Sequence, residues 1–139
     1  MKLPVPGNNA LLEIDVLAYA YPNATDFYDL NWLRCKILCR ISSLTVKEEV
    51  FLQTADFVSL KQSIVAFNTH TSNIIEFKTL EEQLHFSIEQ TPKCVIIKGT
   101  IFATPPTCGI FTFEFKAEVL PFSTIESLEK IILNFPVIS

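Results

Sequence analysis

Apolar and polar residues alternate along most of this chain. In residues 11–20, LLEIDVLAYA, Leu12, Ile14, Val16 and Ala18 fall on one side and Glu13 and Asp15 on the other, the period of a half-buried strand. Residues 32–42, WLRCKILCRIS, repeat the pattern, with Leu33, Cys35, Ile37, Cys39 and Ile41 inward and Arg34, Lys36 and Arg40 outward. A third run, residues 45–54, alternates less cleanly, because Glu48 shares a face with Val46, Val50 and Leu52. The period then changes. Phe57, Leu60, Ile64 and Phe67 recur at steps of three and four, which predicts an amphipathic helix capped by Thr54 or Asp56 and stopped near residues 70–73. Four more strand-like runs follow at 73–80, 83–90, 94–103 and 110–119, with Gly99 as a candidate bulge and turns at TPK and TPPTCG. Residues 123–135 form a second amphipathic helix, with Ser123 or Thr124 and Glu126 resembling a capping box and Pro136 ending it.

The expected order is βββαββββα. Short turns between neighbouring strands favour antiparallel pairing. Two amphipathic helices need an apolar surface to cover, so the expected fold is α+β: one curved antiparallel sheet of about seven strands with both helices packed on it. Residues 1–139 are expected to form one domain, with residues 1–10, rich in Pro, Gly and Asn, as an irregular lead-in and no internal repeat. The length of 139 residues and the 49% hydrophobic content suit a domain with its own core. The four cysteines, 35, 39, 94 and 108, show no CxxC spacing and read as reduced, buried thiols. Met1-Lys2-Leu3 runs into Pro4 and Pro6 without an apolar segment, and no run approaches the roughly 18 apolar residues of a membrane span. A cytoplasmic protein is expected, with no membrane partner.

Candidate chemistry is sparse. A net charge of −4 argues against direct nucleic-acid binding, which calls for a basic footprint. The Arg34/Lys36/Arg40 stripe either pairs with Glu13 and Asp15 across neighbouring strands or meets a partner. With three glycines, Gly7, Gly99 and Gly109, there is no phosphate-cradling loop. GxSxG, HExxH and EF-hand patterns are also absent. His70 and His85 read as surface histidines and lack metal-ligand spacing. No catalytic residue, metal or cofactor is expected.

One segment stands out. Residues 21–33, YPNATDFYDLNWL, connect two strands yet hold the single Trp, several other large aromatics and two Asp. These side chains either fold over the sheet end as a minor core or form an interaction surface, since Trp and Tyr dominate binding hot spots. The stretch LEIDVLAYAYPNATDFYDLNWLRCKI resembles the N-terminal signature of WapI-family immunity proteins through Leu12, Glu13, Tyr19, Tyr21, Pro22, Asp26, Asp29, Asn31, Trp32 and Leu33. TADFVSLKQSI and the ending FEFKAEV…LPF…LEKIILNFP are similar as well. Leu30 stands where that family is expected to carry a small residue. The resemblance implies an immunity protein that binds and neutralises the C-terminal domain of a cognate bacterial toxin, a nuclease acting on RNA, by stoichiometric blocking without turnover. It assigns no binding residues. The loop itself makes Asp26, Tyr28, Asp29 and Trp32 the candidate partner contacts. The alternative is a small-molecule-binding or catalytic α+β domain.

Overall fold

The computed structural model describes residues 1–103 and 109–139. The chain runs β1 (Lys2–Gly7), β2 (Ala10–Tyr19), a one-turn helix α1 (Phe27–Leu30), β3 (Trp32–Ile41), β4 (Leu44–Gln53) and α2 (Thr54–Asn68). It continues through β5 (Ile74–Lys78), β6 (Leu84–Gln90), β7 (Val95–Phe102), β8 (Ile110–Ala117) and α3 (Phe122–Asn134). The α+β class and the antiparallel pairing agree with the pattern. The strands divide into two four-stranded sheets, β1-β2-β3-β4 and β5-β6-β7-β8, where the pattern suggested one. The physical reason is α2. It follows β4 without a turn and packs against β5 and α3, so β5 starts a new sheet. The topology thus repeats, four antiparallel strands and then a helix, twice. The sequence hides this repeat, because the halves share a pattern of buried positions and not residue identities.

The lead-in is the second correction. Residues 2–7 form β1, in register with β2 from Lys2–Asp15 to Gly7–Ala10. Pro4 and Pro6 disguised it as a loop. An edge strand tolerates proline where the missing N–H would face outward, and both prolines occupy the same alternate set while Leu3 and Val5 point into the core. The outward Pro4 carbonyl accepts a hydrogen bond from Thr124 Oγ1 of α3 at 2.8 Å. The Asn8 N–H donates to the Lys116 carbonyl at 2.7 Å, joining the sheet edges of β1 and β8. There Gly7 allows close approach: a Cβ would lie 2.3 Å from the Phe115 ring.

One continuous cluster of buried side chains joins both sheets and both long helices. The stripe Phe57, Leu60, Ile64 and Phe67 is buried as its spacing predicts, each side chain contributing about 1.5–3 kcal/mol by leaving water. Phe57 meets Phe77 at 6.1 Å between centroids, and Phe77 stacks on Phe86 at 5.0 Å. The helix starts differ slightly from expectation. Gln53 is the N-cap of α2, and its N–H donates to Asp56 Oδ2 at 2.8 Å. α3 begins after Pro121, with no side-chain cap, because Thr124 is turned inward to β1. Gly99 is not a bulge; the register runs unbroken through it, and a Cβ there would sit 2.1 Å from the His85 carbonyl oxygen. The register shift lies instead in β2, between Val16 and Ala18.

Cys35 and Cys39 are buried and free, as expected, while Cys94 is partly buried. Cys108 and most of the TPPTCG turn lie outside the described residues. Burial pushes the Cys35 thiol up from an ordinary 9.0 to about 12 and Cys39 to about 11. An acid with a raised folded pKa contributes stability that is complete below its unfolded pKa and is lost as pH rises through the folded value. Urea-unfolding free energy is therefore expected to decline from pH 9 upward, by at most about 1.4 kcal/mol per pH unit for each thiol. The Cys35→Ala/Cys39→Ala variant should lose that part of the slope. An unchanged slope would contradict the burial assignment.

Candidate functional site

Residues 20–31 leave β2 and return to β3 through a tied-down loop. At its neck, the Ala20 N–H donates to the Trp32 carbonyl at 2.8 Å. Asp26 is the N-cap of α1, its Oδ1 accepting from the Asp29 N–H at 2.9 Å. A single helical turn cannot stand alone, and Asn31 secures it. Asn31 Nδ2 donates to the Phe27 carbonyl at 2.6 Å and to the Ile138 carbonyl at 2.8 Å. Its Oδ1 accepts from the Ile138 N–H at 2.7 Å and from Thr54 Oγ1 at 3.2 Å. Both donors of this amide are used. Beside it, the Tyr19 hydroxyl donates to the Pro136 carbonyl at 2.8 Å, and its ring meets Phe135 edge-on at 5.5 Å. Partial burial raises the Tyr19 pKa, keeping the hydroxyl a donor.

On this base stand the aromatics. Trp32 is 6% exposed and Tyr28 is 56% exposed, so the first is foundation and the second is surface. Tyr28 meets Trp32 edge-on, 5.8 Å between centroids at 85°, a geometry that contributes about 0.5–1.5 kcal/mol beyond burial. Tyr21 stacks on Phe51 of β4 at 6.3 Å and 11°. Across from the loop, the turn between β5 and β6 is held when the Phe51 N–H donates to Gln83 Oε1 at 2.9 Å. Together these segments enclose an open cleft of about 490 Å³. Tyr21, Tyr28, Trp32 and Phe51 supply its aromatic surface; Asp29, Glu81 and Gln83 supply its polar groups.

The cleft is electrostatically one-sided. The ion pairs within 4.0 Å lie elsewhere, at Met1–Asp15, Lys2–Glu13 and Lys78–Glu76, so among the described residues neither Asp29 nor Glu81 has a basic partner. Desolvation raises the Asp29 carboxyl above its usual range, and the neighbouring Asp26 carboxylate adds to the effect. By contrast, the groove on the outer face of the first sheet holds alternating signs, with Lys2, Asp15, Lys36 and Glu49 following one another across the four strands. Among the described residues, Asp15 and Glu13 make ion pairs within 4.0 Å with the Met1 amino group and with Lys2 of β1.

Of the four residues expected to contact a partner, Tyr28, Asp29 and Trp32 line the cleft together. Asp26 does not; it caps α1. Sequence reasoning missed Tyr21, Phe51, Glu81 and Gln83 as lining residues. Phe51 carried a weak signal, being a large apolar residue among the outward positions Thr45, Lys47 and Glu49. Glu81 and Gln83 carried none, because only the packing of the two sheets brings their turn to the loop.

A model of the immunity protein WapI-like family matches residues 5–136. The chain belongs to that family. No curated protein matches it. Among solved structures, one from crystal structures of Trypanosoma bruciei MRP1/MRP2 is similar at a TM-score of 0.45 and 13% identity, covering 98% of this chain and 85% of that chain. No described helix is long and apolar enough to cross a membrane.

The base of the site is open to direct test. Asn31→Ala removes four hydrogen bonds and leaves their partners partly unsatisfied, which should cost about 1–3 kcal/mol in urea unfolding. It should also accelerate amide exchange at Ile138. Asn31→Asp lacks the two donors and should not restore stability; full rescue by Asp would contradict the role given to Nδ2.

Proposed function

We propose that this protein is a cytoplasmic immunity protein that binds a cognate bacterial toxin domain, a nuclease, one-to-one through the cleft formed by residues 20–31, β4 and the β5–β6 turn. The toxin is blocked and not chemically altered. Family membership supports the class of function. The observation that carries the surface is the mismatch between the two halves of the fold. In the second half, β6 and β7 are joined by the tight turn 91–94, closed by the Thr91 N–H and Oγ1 on the Cys94 carbonyl. In the first half, the same connection is the loop 20–31 with its own helix. The topology does not require that extra length, and it places large aromatics at the surface.

The mechanism follows from the chemistry of the cleft. A nuclease surface that holds phosphates is basic. Uncompensated Asp29 and Glu81, on a protein of net charge −4, complement such a surface and accelerate encounter. Tyr28 and Tyr21 are stiff, exposed and amphipathic, suited to slow dissociation once water is expelled. Asp26 contributes by fixing α1, and Trp32 by supporting Tyr28.

The test co-expresses this protein with toxin C-terminal domains from the same genome and measures each pair by biolayer interferometry. Wild type should form a one-to-one complex. Tyr28→Ala should weaken it by on the order of 2 kcal/mol, about 30-fold, mainly through dissociation. Asp29→Asn should mainly slow association and reduce its salt dependence. A tight complex unaffected by either substitution would place binding elsewhere.

A further inference from the structure

We infer that the cleft receives a single arginine side chain presented by the partner protein, an inference that rests on the cleft being the binding surface. Four aromatic rings and two carboxylates converge there: Tyr21, Tyr28, Trp32 and Phe51 with Asp29 and Glu81. Aromatic rings offer a negative face to a cation, and carboxylates accept its N–H donors. Hydrophobic ligands would satisfy the rings but strand the acids. Anions would meet two like charges. A cation satisfies both sets.

Arginine fits better than lysine. Guanidinium is planar, stacks on aromatic faces, and spreads its donors in a fork that reaches more than one acceptor. The cleft pairs a parallel ring stack, Tyr21 on Phe51 at 11°, with carboxylates from two separate segments, the loop and the β5–β6 turn. Lysine, a compact and strongly hydrated charge, would use the acids but not the stack. Among the described residues, the depressions at the end of α2 and beside Gly99 lack this combination. The first, about 580 Å³, sets Phe67, Val119 and Leu120 among neutral polar residues and His70, with no carboxylate. The groove beside Gly99, about 310 Å³, holds both Lys98 and Glu114.

Trp32 is the single tryptophan, and it lies in the cleft, so its fluorescence reports occupancy. The folded full chain is titrated with acetyl-arginine amide, acetyl-lysine amide and acetyl-citrulline amide, the last having nearly the shape of arginine without the charge. Acetyl-arginine amide should give a saturable change and bind at least about threefold more tightly than acetyl-citrulline amide, with acetyl-lysine amide between them. Asp29→Asn and Glu81→Gln should each reduce the preference for arginine about twofold or more. Equal response to arginine and citrulline, or no saturable response to arginine, overturns the inference. Failure here while Tyr28→Ala still weakens toxin binding about 30-fold removes the arginine and leaves the surface standing. Arginine binding without any toxin complex removes the proposed function instead.

Discussion

The side-chain amide of Asn31 ties together three segments: α1, the start of α2 and the C-terminal tail. It holds the Phe27 carbonyl of α1, the backbone of Ile138 in the tail and the hydroxyl of Thr54 at the start of α2, while its own carbonyl accepts from the Thr54 N–H at 3.0 Å. Each bond is modest by itself, about 1 kcal/mol net. Their effect is geometric: they fix the end of the loop where β3 begins. Trp32 and Leu33 follow at once and are buried. A loop of this length would otherwise sample many conformations. Held here, it presents Tyr28 and Asp29 on a rigid base, the arrangement that lowers the cost of ordering on binding.

The aromatic loop divides between supporting side chains and side chains that line the cleft. Tyr19, Asn31, Trp32 and Leu33 support the fold, bonding to or packing beneath the tail and the loop. Tyr21, Tyr28 and Asp29 face the cleft. Several residues that carry the family resemblance therefore have structural duties, including Tyr19 and the Phe135-Pro136 pair that it contacts. Belonging to an immunity family is thus compatible with partner contacts concentrated on a few exposed side chains.

Much of the fold was legible because burial imposes a period. Strands buried on one face announce themselves by alternation, and α2 by its Phe57–Leu60–Ile64–Phe67 stripe. β1 was hidden because prolines are usually strand breakers, and the exemption for edge strands appears only once pairing is known. The division into two sheets was hidden because it depends on where α2 packs, a tertiary fact. The same logic applies to the site. Tyr28, Asp29 and Trp32 were visible as an unusual local concentration. Phe51, Glu81 and Gln83 join them from other parts of the chain, and no local pattern records that meeting. Asp26 caps α1 outside the cleft lining, and a capping carboxylate and a cleft carboxylate look alike in sequence.

In the proposed function, the segment that breaks the repeat between the two halves is the binding surface. Amide hydrogen exchange, followed with and without a bound toxin domain, is the decisive measurement. New protection is expected at residues 20–31 and 79–83, with the outer face of the first sheet and the end of α2 unchanged. Protection confined to either of those regions, with the loop exchanging as before, would contradict it.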